Sequence, residues 1–501
     1  MKSRQVLFAI LISGAFGAQA AEAPRKTASG SPATPNVLFI AVDDLRSWLG
    51  VYGHPQVRTP HLDALAASGV RFDSAYSQAA VCMPSRTSIL SGCRPDEAGE
   101  QWLIGRKSAR SIRTVRPDIT SLPEHLRTHG WHTVSIGKIG HDWDTDGFDE
   151  MRLGPAEREL GYFQLPGSRA KIADKSLKLP ARGIPFEAAD LPETDFNDGK
   201  VAADAVRTLK TLKAAGKPFF LGVGFWRPHM PLVVPKKYWD MYPPESIALP
   251  QNLAPPAGVG PLARFSGPSQ INWSNYRLPE QKDGTLDERN MREMIRGYLA
   301  AITFVDAQIG LVLAALEDEG LAGNTIVIFW SDQGYHLGEH GEWSKLTCYE
   351  ESTHIPLLIR DPAAPHAGSV VAPPVEALDL YPTLCDLLDL PRPAHLEGES
   401  LVPLLRGEPG RKNDSAITLV HRPSAVGWSL RTATHRYTVW FDKKTQQPVQ
   451  RELFDRRTDP GENQNLSADP EHAALMQTLH DRLMRQAIEP QRAALKPNHK
   501  N

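Results

Sequence analysis

The chain is predicted to be an α/β protein. Its core is a mixed, mostly parallel sheet sandwiched by helices, and a smaller C-terminal subdomain adds an antiparallel sheet plus a helix. Three observations carry that expectation. From about Pro35 to Arg406, short apolar runs alternate with helix-like stretches, the pattern of parallel strands joined by crossover helices. Two of the runs, Asn36 to Asp44 (NVLFIAVDD) and Asn324 to Gly334 (NTIVIFWSDQG), are apolar at consecutive positions, as strands covered on both faces are. After the polar stretch Gly407 to Asp414, four short strands follow at Ala416–Val420, Trp428–Arg431, Arg436–Trp440 and Arg451–Phe454, then a helix from about Glu471 to Arg485.

The elements follow in order. Lys2 and Arg4 precede an apolar run from Val6 to Phe16 that is too short to span a bilayer, and Ala18 to Ala20 fits a cleavage site. Residues 1–20 are therefore expected to be a cleavable signal peptide and the protein secreted or periplasmic. Residues 21–34, rich in Ala, Pro, Ser and Thr, are expected to be a disordered linker. The main domain is expected over 35–406 and the C-terminal subdomain over 415–490. Thr59 is the expected N-cap of a helix that starts at Pro60. Ser121 to His129 reads as a helix stopped by Gly130. Ala300 to Glu317 has strong helical periodicity and leads into the strand at Ile326. The irregular stretches Leu153 to Asp195 and Pro243 to Asp287 are expected to form a pocket rim.

Charge and cysteine content bound the function. With 56 Lys and Arg against 58 Asp and Glu, the formal net charge is -2, so no general affinity for nucleic acid follows and any anionic substrate needs a local basic site. No later segment reads as a membrane span. Four cysteines, Cys82, Cys93, Cys348 and Cys385, set up no disulfide framework.

The chemistry concentrates in six segments. Asp43 and Asp44 end the first apolar strand, and Asp332 and Gln333 end the second, where open α/β sheets place ligands. Together they offer an all-oxygen donor set, which suits Ca2+ or Mg2+ rather than zinc. Asp43 and Asp44 taken alone also read as a polar turn that starts the next loop. Residues 82–94 (CMPSRTSILSGCR) read either as a functional motif or as a buried Cys before a Pro-Ser turn capping a helix from about Arg86. Lys138 and His141 lie three apart after a strand, a spacing that alone carries nothing. His229 stands between Pro228 and Pro231, which stiffen its loop. Residues 338–345 (GEHGEWSK) bring Lys345, in what is otherwise a Gly-rich polar loop.

Taken together and in this order, the segments resemble the type I, formylglycine-dependent sulfatases, whose signature is C-x-P-S-R followed by L-[ST]-G-R. The resemblance covers nearly the whole mature chain, including Thr59 to Phe72, Ala377 to Thr383 and Glu452 to Leu466. The 338–345 segment is most like the iduronate-2-sulfatase branch. The resemblance implies an alkaline-phosphatase-like fold. It implies conversion of Cys82 to formylglycine by a formylglycine-generating enzyme, and one Ca2+ ion, or Mg2+, on Asp43, Asp44, Asp332 and Gln333 with residue 82 also reaching the metal. In that scheme Lys138, Lys345 and Arg86 hold the sulfate group and the diol, and a sulfo-enzyme forms at residue 82. His229 protonates the leaving alcohol and His141 deprotonates the diol. The implied substrate is a sulfated carbohydrate, iduronate 2-sulfate of heparan- or dermatan-type glycans by resemblance.

One position departs from the pattern. Cys93 stands where the family has its first Arg, and Arg94 follows. Alternatives stay open at this point: a phosphatase or phosphodiesterase of the same superfamily, a non-catalytic carbohydrate-binding relative, or an exported structural protein with a Cys82–Cys93 disulfide.

Overall fold

Val37 to Val42 are all fully buried in strand β1 (Asn36–Asp43), and β1 tolerates this because it has a core on each face. Leu38, Ile40 and Val42 point into one core, and Val37, Phe39 and Ala41 into the other. The structure, a computed structural model, describes residues 34–95, 116, 118–141, 147–152, 163–174, 176, 184–265, 286–408 and 413–495. The expected signal peptide (1–20) and all but Thr34 of the expected linker lie outside these residues, as do parts of both irregular stretches and residues 409–412.

The central sheet contains β1, β2 (Val70–Tyr76), β3 (His132–Gly137), β4 (Glu150–Arg152), β6 (Phe219–Pro228), β8 (Thr325–Ser331), β11 (His354–Arg360), β12 (Ser369–Val371) and β13 (Val375–Glu376). Two small ribbons pair β5 (Phe186–Ala189) with β7 (Leu232–Pro235) and β9 (His336–Leu337) with β10 (Trp343–Ser344). The sheet order is β12-β2-β11-β8-β1-β6-β3-β4, with β13 also on β2. Only β11 runs against its neighbours β8 and β2. Helices Pro60–Ser68, Asn197–Ala215 and Glu288–Asp318 cover one face; Cys82–Ser91, Leu122–Thr128 and Leu380–Leu387 cover the other. Cys385 is buried in this second layer.

Two helix starts differ from the expectation. The Glu288–Asp318 helix begins at Glu288 rather than near Ala300, because Asp287 caps it by accepting from Asn290 N at 2.7 Å and Met294, Ile295, Tyr298 and Leu299 continue its buried stripe. This helix is long and apolar enough to cross a membrane, but 78% of its most apolar stretch is packed inside the fold. The Cys82–Ser91 helix starts at Cys82 rather than near Arg86, since Pro84 falls in the first turn, where no amide hydrogen is needed. Thr59 does occupy the N-cap position, but its hydroxyl donates to the Asp63 carboxylate at 3.1 Å and makes no capping bond.

The C-terminal sheet is a meander, β14 (Ser415–His421), β15 (Ala425–Thr432), β16 (His435–Asp442) and β17 (Pro448–Asp455). Leu479 and Leu483 of the Ala473–Leu483 helix pack on Trp428, Leu430, Tyr437 and Leu453. The meander's edge strand β14 is tied to the segment leading into Cys82: Thr418 Oγ1 donates to Ser77 O at 2.6 Å and Leu419 N to Gln78 O at 2.9 Å.

Glu452 is buried in this sheet and accepts from Trp440 Nε1 and Gln450 Nε2, both at 2.8 Å. Burial pushes its carboxyl up to about 7, despite nearby Arg422. Below pH 4.5 the group is protonated both folded and unfolded. Between pH 4.5 and 7 only the unfolded chain ionises, so stability falls by up to about 3 kcal/mol as pH rises. Glu452→Gln is expected to flatten the Tm profile over that window in thermal melts; an unchanged profile counts against this assignment.

Candidate active site

The parallel strands bring their C-terminal ends to one edge of the sheet. There β1 delivers Asp43 and Asp44, β8 delivers Asp332 and Gln333, β3 delivers Lys138 and β6 delivers His229. The Cys82–Ser91 helix, which follows β2, brings Cys82 and Arg86, and the β9–β10 ribbon brings Lys345. Asp43, Asp332 and Gln333 are fully buried and Asp44 nearly so.

The charged groups interlock. Arg86 Nε donates to Asp332 Oδ2 at 2.7 Å, and its NH2 lies 3.6 Å from Asp43 Oδ1. Lys138 Nζ donates to Asp43 Oδ2, and Lys345 Nζ to Asp44 Oδ1. Asp44 N donates to Asp332 Oδ1 at 3.0 Å. Burial alone would raise Asp43, but Lys138, His229, Arg86 and Lys345 together hold it well below the usual carboxylate range. Burial dominates at Asp332 and raises its carboxyl well above that range, against the pull of Arg86. Lys345 stays firmly protonated, because Asp44, Cys82, Asp43 and Asp332 outweigh its burial.

His229 lies with Nε2 3.8 Å from Asp44 Oδ2, while its Nδ1 donates to the Met230 carbonyl at 2.6 Å. Burial lowers its basicity, opposed by Asp44 and Asp43. His141 sits three residues past Lys138, partly buried.

The donor set fits a hard cation. Carboxylate oxygens of Asp43, Asp44 and Asp332 lie within 4.8 Å of one another. Gln333 Nε2 donates to Asp44 Oδ1, which leaves the amide oxygen buried without a partner, and Asp43 Oδ1 has no hydrogen bond either. Two orphaned oxygens beside three buried carboxylates form a site for an oxygen-loving divalent ion.

Cys82 is the first residue of its helix, so the positive end of the helix dipole lies against it. Arg86 and Lys345 both lie within electrostatic reach of it. All four cysteines are free. A Cys82–Cys93 bridge does not fit: the ten-residue helix between them spans about 15 Å, against the ~7 Å limit for Cα atoms across a disulfide. Cys93 is buried with Sγ 3.4 Å from His395 O. The anchoring is done by Arg94, paired with both oxygens of Glu376, whose Oε1 also accepts from Ile417 N at 2.8 Å. The helix end is thus tied to β13 and β14 without an Arg at position 93.

Several positioning residues escaped the sequence reading. Asp198 accepts from Trp226 N at 2.6 Å and Arg227 N at 3.2 Å, fixing the end of β6 before His229. Arg227, which the sequence offers for the local basic site, instead donates from NH1 to the His229 carbonyl and braces the loop. Tyr298 OH donates to Asp44 O at 2.6 Å. Four of the seven non-glycine residues with positive φ among the described residues are Asp44, His340, Ser344 and Leu346, and the last two flank Lys345. A Cβ at Gly224 would sit 2.0 Å from Lys138 O, so only glycine lets β6 pass there. Gly224→Ala is expected to displace Lys138 and lower kcat/KM on a sulfate ester by about 100-fold. Steady-state kinetics check this, and an unaffected variant would show that the Lys138 position tolerates the shift.

Comparison with known proteins agrees with this geometry. The Sulfatase family profile matches residues 35–390, and the C-terminal profile of N-sulphoglucosamine sulphohydrolase matches 338–489. The chain belongs to the sulfatase family. A sulfatase of Formosa agariphila is 34% identical over 443 residues, covering 85% of this chain and 82% of that one. Iduronate 2-sulfatase of Mus musculus is 30% identical over 563 residues, covering 95% and 98%. Among solved structures, the phosphonate monoester hydrolase of Agrobacterium radiobacter superposes with TM-score 0.74 at 24% identity, covering 91% and 96%. BT4656 in complex with its substrate D-glucosamine-2-N,6-O-disulfate superposes with TM-score 0.72 at 23% identity, covering 94% and 100%. These two likenesses establish the alkaline-phosphatase-like fold.

Proposed function

We propose that this sulfatase acts on sulfated sugars through residue 82, converted from Cys to formylglycine. The observation that carries the reading is the position of Cys82 at a helix N-terminus, charge-coupled to Arg86 and Lys345, beside the buried acids of two strand ends. Formylglycine, hydrated, supplies one hydroxyl that takes sulfate and a second whose deprotonation lets it go. Asp43, Asp44, Asp332 and Gln333, with residue 82 as a further ligand, would hold a divalent cation, Ca2+ or alternatively Mg2+, and such an ion would supply positive charge to the sulfate oxygens.

The chain's own residues carry the rest. Lys138 and Lys345 place ammonium charge where the sulfate group binds, and Arg86 holds Asp43 and Asp332 in register from behind. His229, with Nδ1 committed to the Met230 carbonyl, exchanges its proton at Nε2, the atom facing Asp44; it is the acid for the departing sugar oxygen. His141 is the base for the residue-82 hydroxyl.

For substrate, we infer iduronate 2-sulfate units of heparan- or dermatan-type glycans. Support comes from the mouse iduronate 2-sulfatase, whose likeness runs over 95% of this chain. A formylglycine-generating enzyme is the maturation partner, and residues 1–20 would export the chain to the periplasm or medium.

The test is the mass of the tryptic peptide carrying residue 82 from natively expressed protein, with sulfate release measured on 2-O-sulfated uronate disaccharides. Formylglycine gives a loss of about 18 Da relative to the thiol. Protein that turns over sulfate esters with an unmodified thiol at 82 overturns the reading. Faster cleavage of phosphate or phosphonate esters than of sulfate esters would move the function to the phosphonate hydrolases that share the fold.

A further inference from the structure

The segment between Gln333 and Glu351 holds more than Lys345. His336 and His340 are both fully buried and Glu351 is half-buried, and none has a part in sulfate chemistry. One ligand atom from each lies within 4.8 Å of the other two. His336 Nδ1, His340 Nδ1 and Glu351 Oε2 are buried, and none of the three has a hydrogen-bond partner. Buried polar atoms are rarely left unsatisfied, so three converging in one place call for a missing partner.

The outward-facing nitrogens are already committed. His340 Nε2 lies 2.7 Å from the Gly461 carbonyl, which only accepts, so Nε2 carries the hydrogen and Nδ1 keeps the lone pair. Asn252 Nδ2, at 3.1 Å, is the farther neighbour of the same nitrogen. His336 Nε2 meets the Thr347 hydroxyl at 2.7 Å. This is the arrangement of metal-binding histidines, with the inner nitrogen bare and the outer one oriented by a hydrogen bond. His340 is also held at φ 58, with its N donating to Asn252 O at 2.6 Å, a conformation that a non-glycine residue keeps only when its surroundings impose it.

We propose that His336, His340 and Glu351 form a second metal centre, distinct from the acid cluster, for a first-row divalent transition ion of the zinc type. Two imidazoles and one carboxylate are the ligands such ions take, with a further position left for water, whereas the four oxygens around Asp332 suit a hard cation. Glu351 also lines a cavity of about 390 Å³ shared with Arg46, Trp48 and Asp73, which gives an ion its way in. Bound there, the ion ties together the two ends of the segment that presents Lys345.

The experiment uses full-length protein without a histidine tag, stripped with chelator and titrated with Co2+ in saturating Ca2+, followed by visible absorption. Wild type is expected to bind one Co2+ per chain with ligand-field bands of a nitrogen and oxygen site. Glu351→Gln and His340→Ala are each expected to weaken that binding by at least about 100-fold. Far-UV circular dichroism of the stripped variants reports folding; should His340→Ala not fold, the near-isosteric Glu351→Gln carries the test alone. Asp332→Asn is expected to keep the Co2+ bands. Absence of Co2+ binding, binding unchanged in Glu351→Gln (an adventitious ion only), or loss of the bands in Asp332→Asn overturns the proposal.

Discussion

Cys82→Ser is expected to fold normally and to lose at least about 10³-fold in steady-state turnover of a sulfate ester. A serine can occupy the first position of the Cys82–Ser91 helix without strain, because that position asks only for a side chain at the positive end of the helix. Lys138 and Lys345 would still meet an incoming sulfate, since their places are fixed by Asp43 and Asp44. What the serine lacks is a second hydroxyl on the same carbon, so sulfate once accepted has no easy exit. The expected record is a burst of at most one equivalent of alcohol product, with a sulfated residue-82 peptide in the mass spectrum. Sustained multiple turnover by this variant would be fatal to the proposed chemistry.

Asp332→Asn is expected to abolish the response to the divalent cation. Asp43, Asp44 and Asp332 share their pocket with Arg86, Lys138 and Lys345, so the acids hold a dication only against three nearby cations. Removing one carboxylate takes away an anionic ligand that the ion draws on and leaves the repulsion of the three cations. Chelated wild-type protein should gain about 2.7 kcal/mol when Ca2+ is supplied at 100 times its Kd, visible as a rise in Tm. The D332N variant should show almost none of this gain and about 10³-fold lower kcat/KM. An equal rise in Tm for both proteins would place the ion elsewhere.

The parts of this site that could be read from sequence are those at which two periodicities meet. Asp43 and Asp332 were legible because an apolar run that needs cover on both faces ends abruptly in acids, and the strands indeed lie side by side with Val42 opposite Ser331. Cys82 and Lys345 were legible from motif resemblance, and the four strands of the C-terminal meander from alternation, although each runs a residue or more beyond its expected ends. Asp198 was not legible: an acid in the first turn of an amphipathic helix reads as a solvated helix start, and only the fold reveals that it takes the backbone amides of Trp226 and Arg227. The same holds for His336, His340 and Glu351, whose spacing says nothing until the ribbon between them turns back. The start of the Cys82–Ser91 helix was missed because Pro84 reads as a break, although a first-turn proline has no amide bond to lose.

The depth of Arg86 has a consequence for timing. Pro84, Ser85 and Arg86 are buried, with Arg86 and Ser85 fully enclosed and the Ser85 hydroxyl donated to the Asp332 carbonyl. A catalyst that recognises residues 82–86 as a short peptide therefore has no access to them once β8 has closed over the helix. Any such recognition belongs to the interval between synthesis and folding, so the yield of competent molecules is set by a race between that encounter and collapse of the core. Slowing folding would raise the matured fraction, and a variant that folds faster would carry more untouched thiol while being indistinguishable in stability.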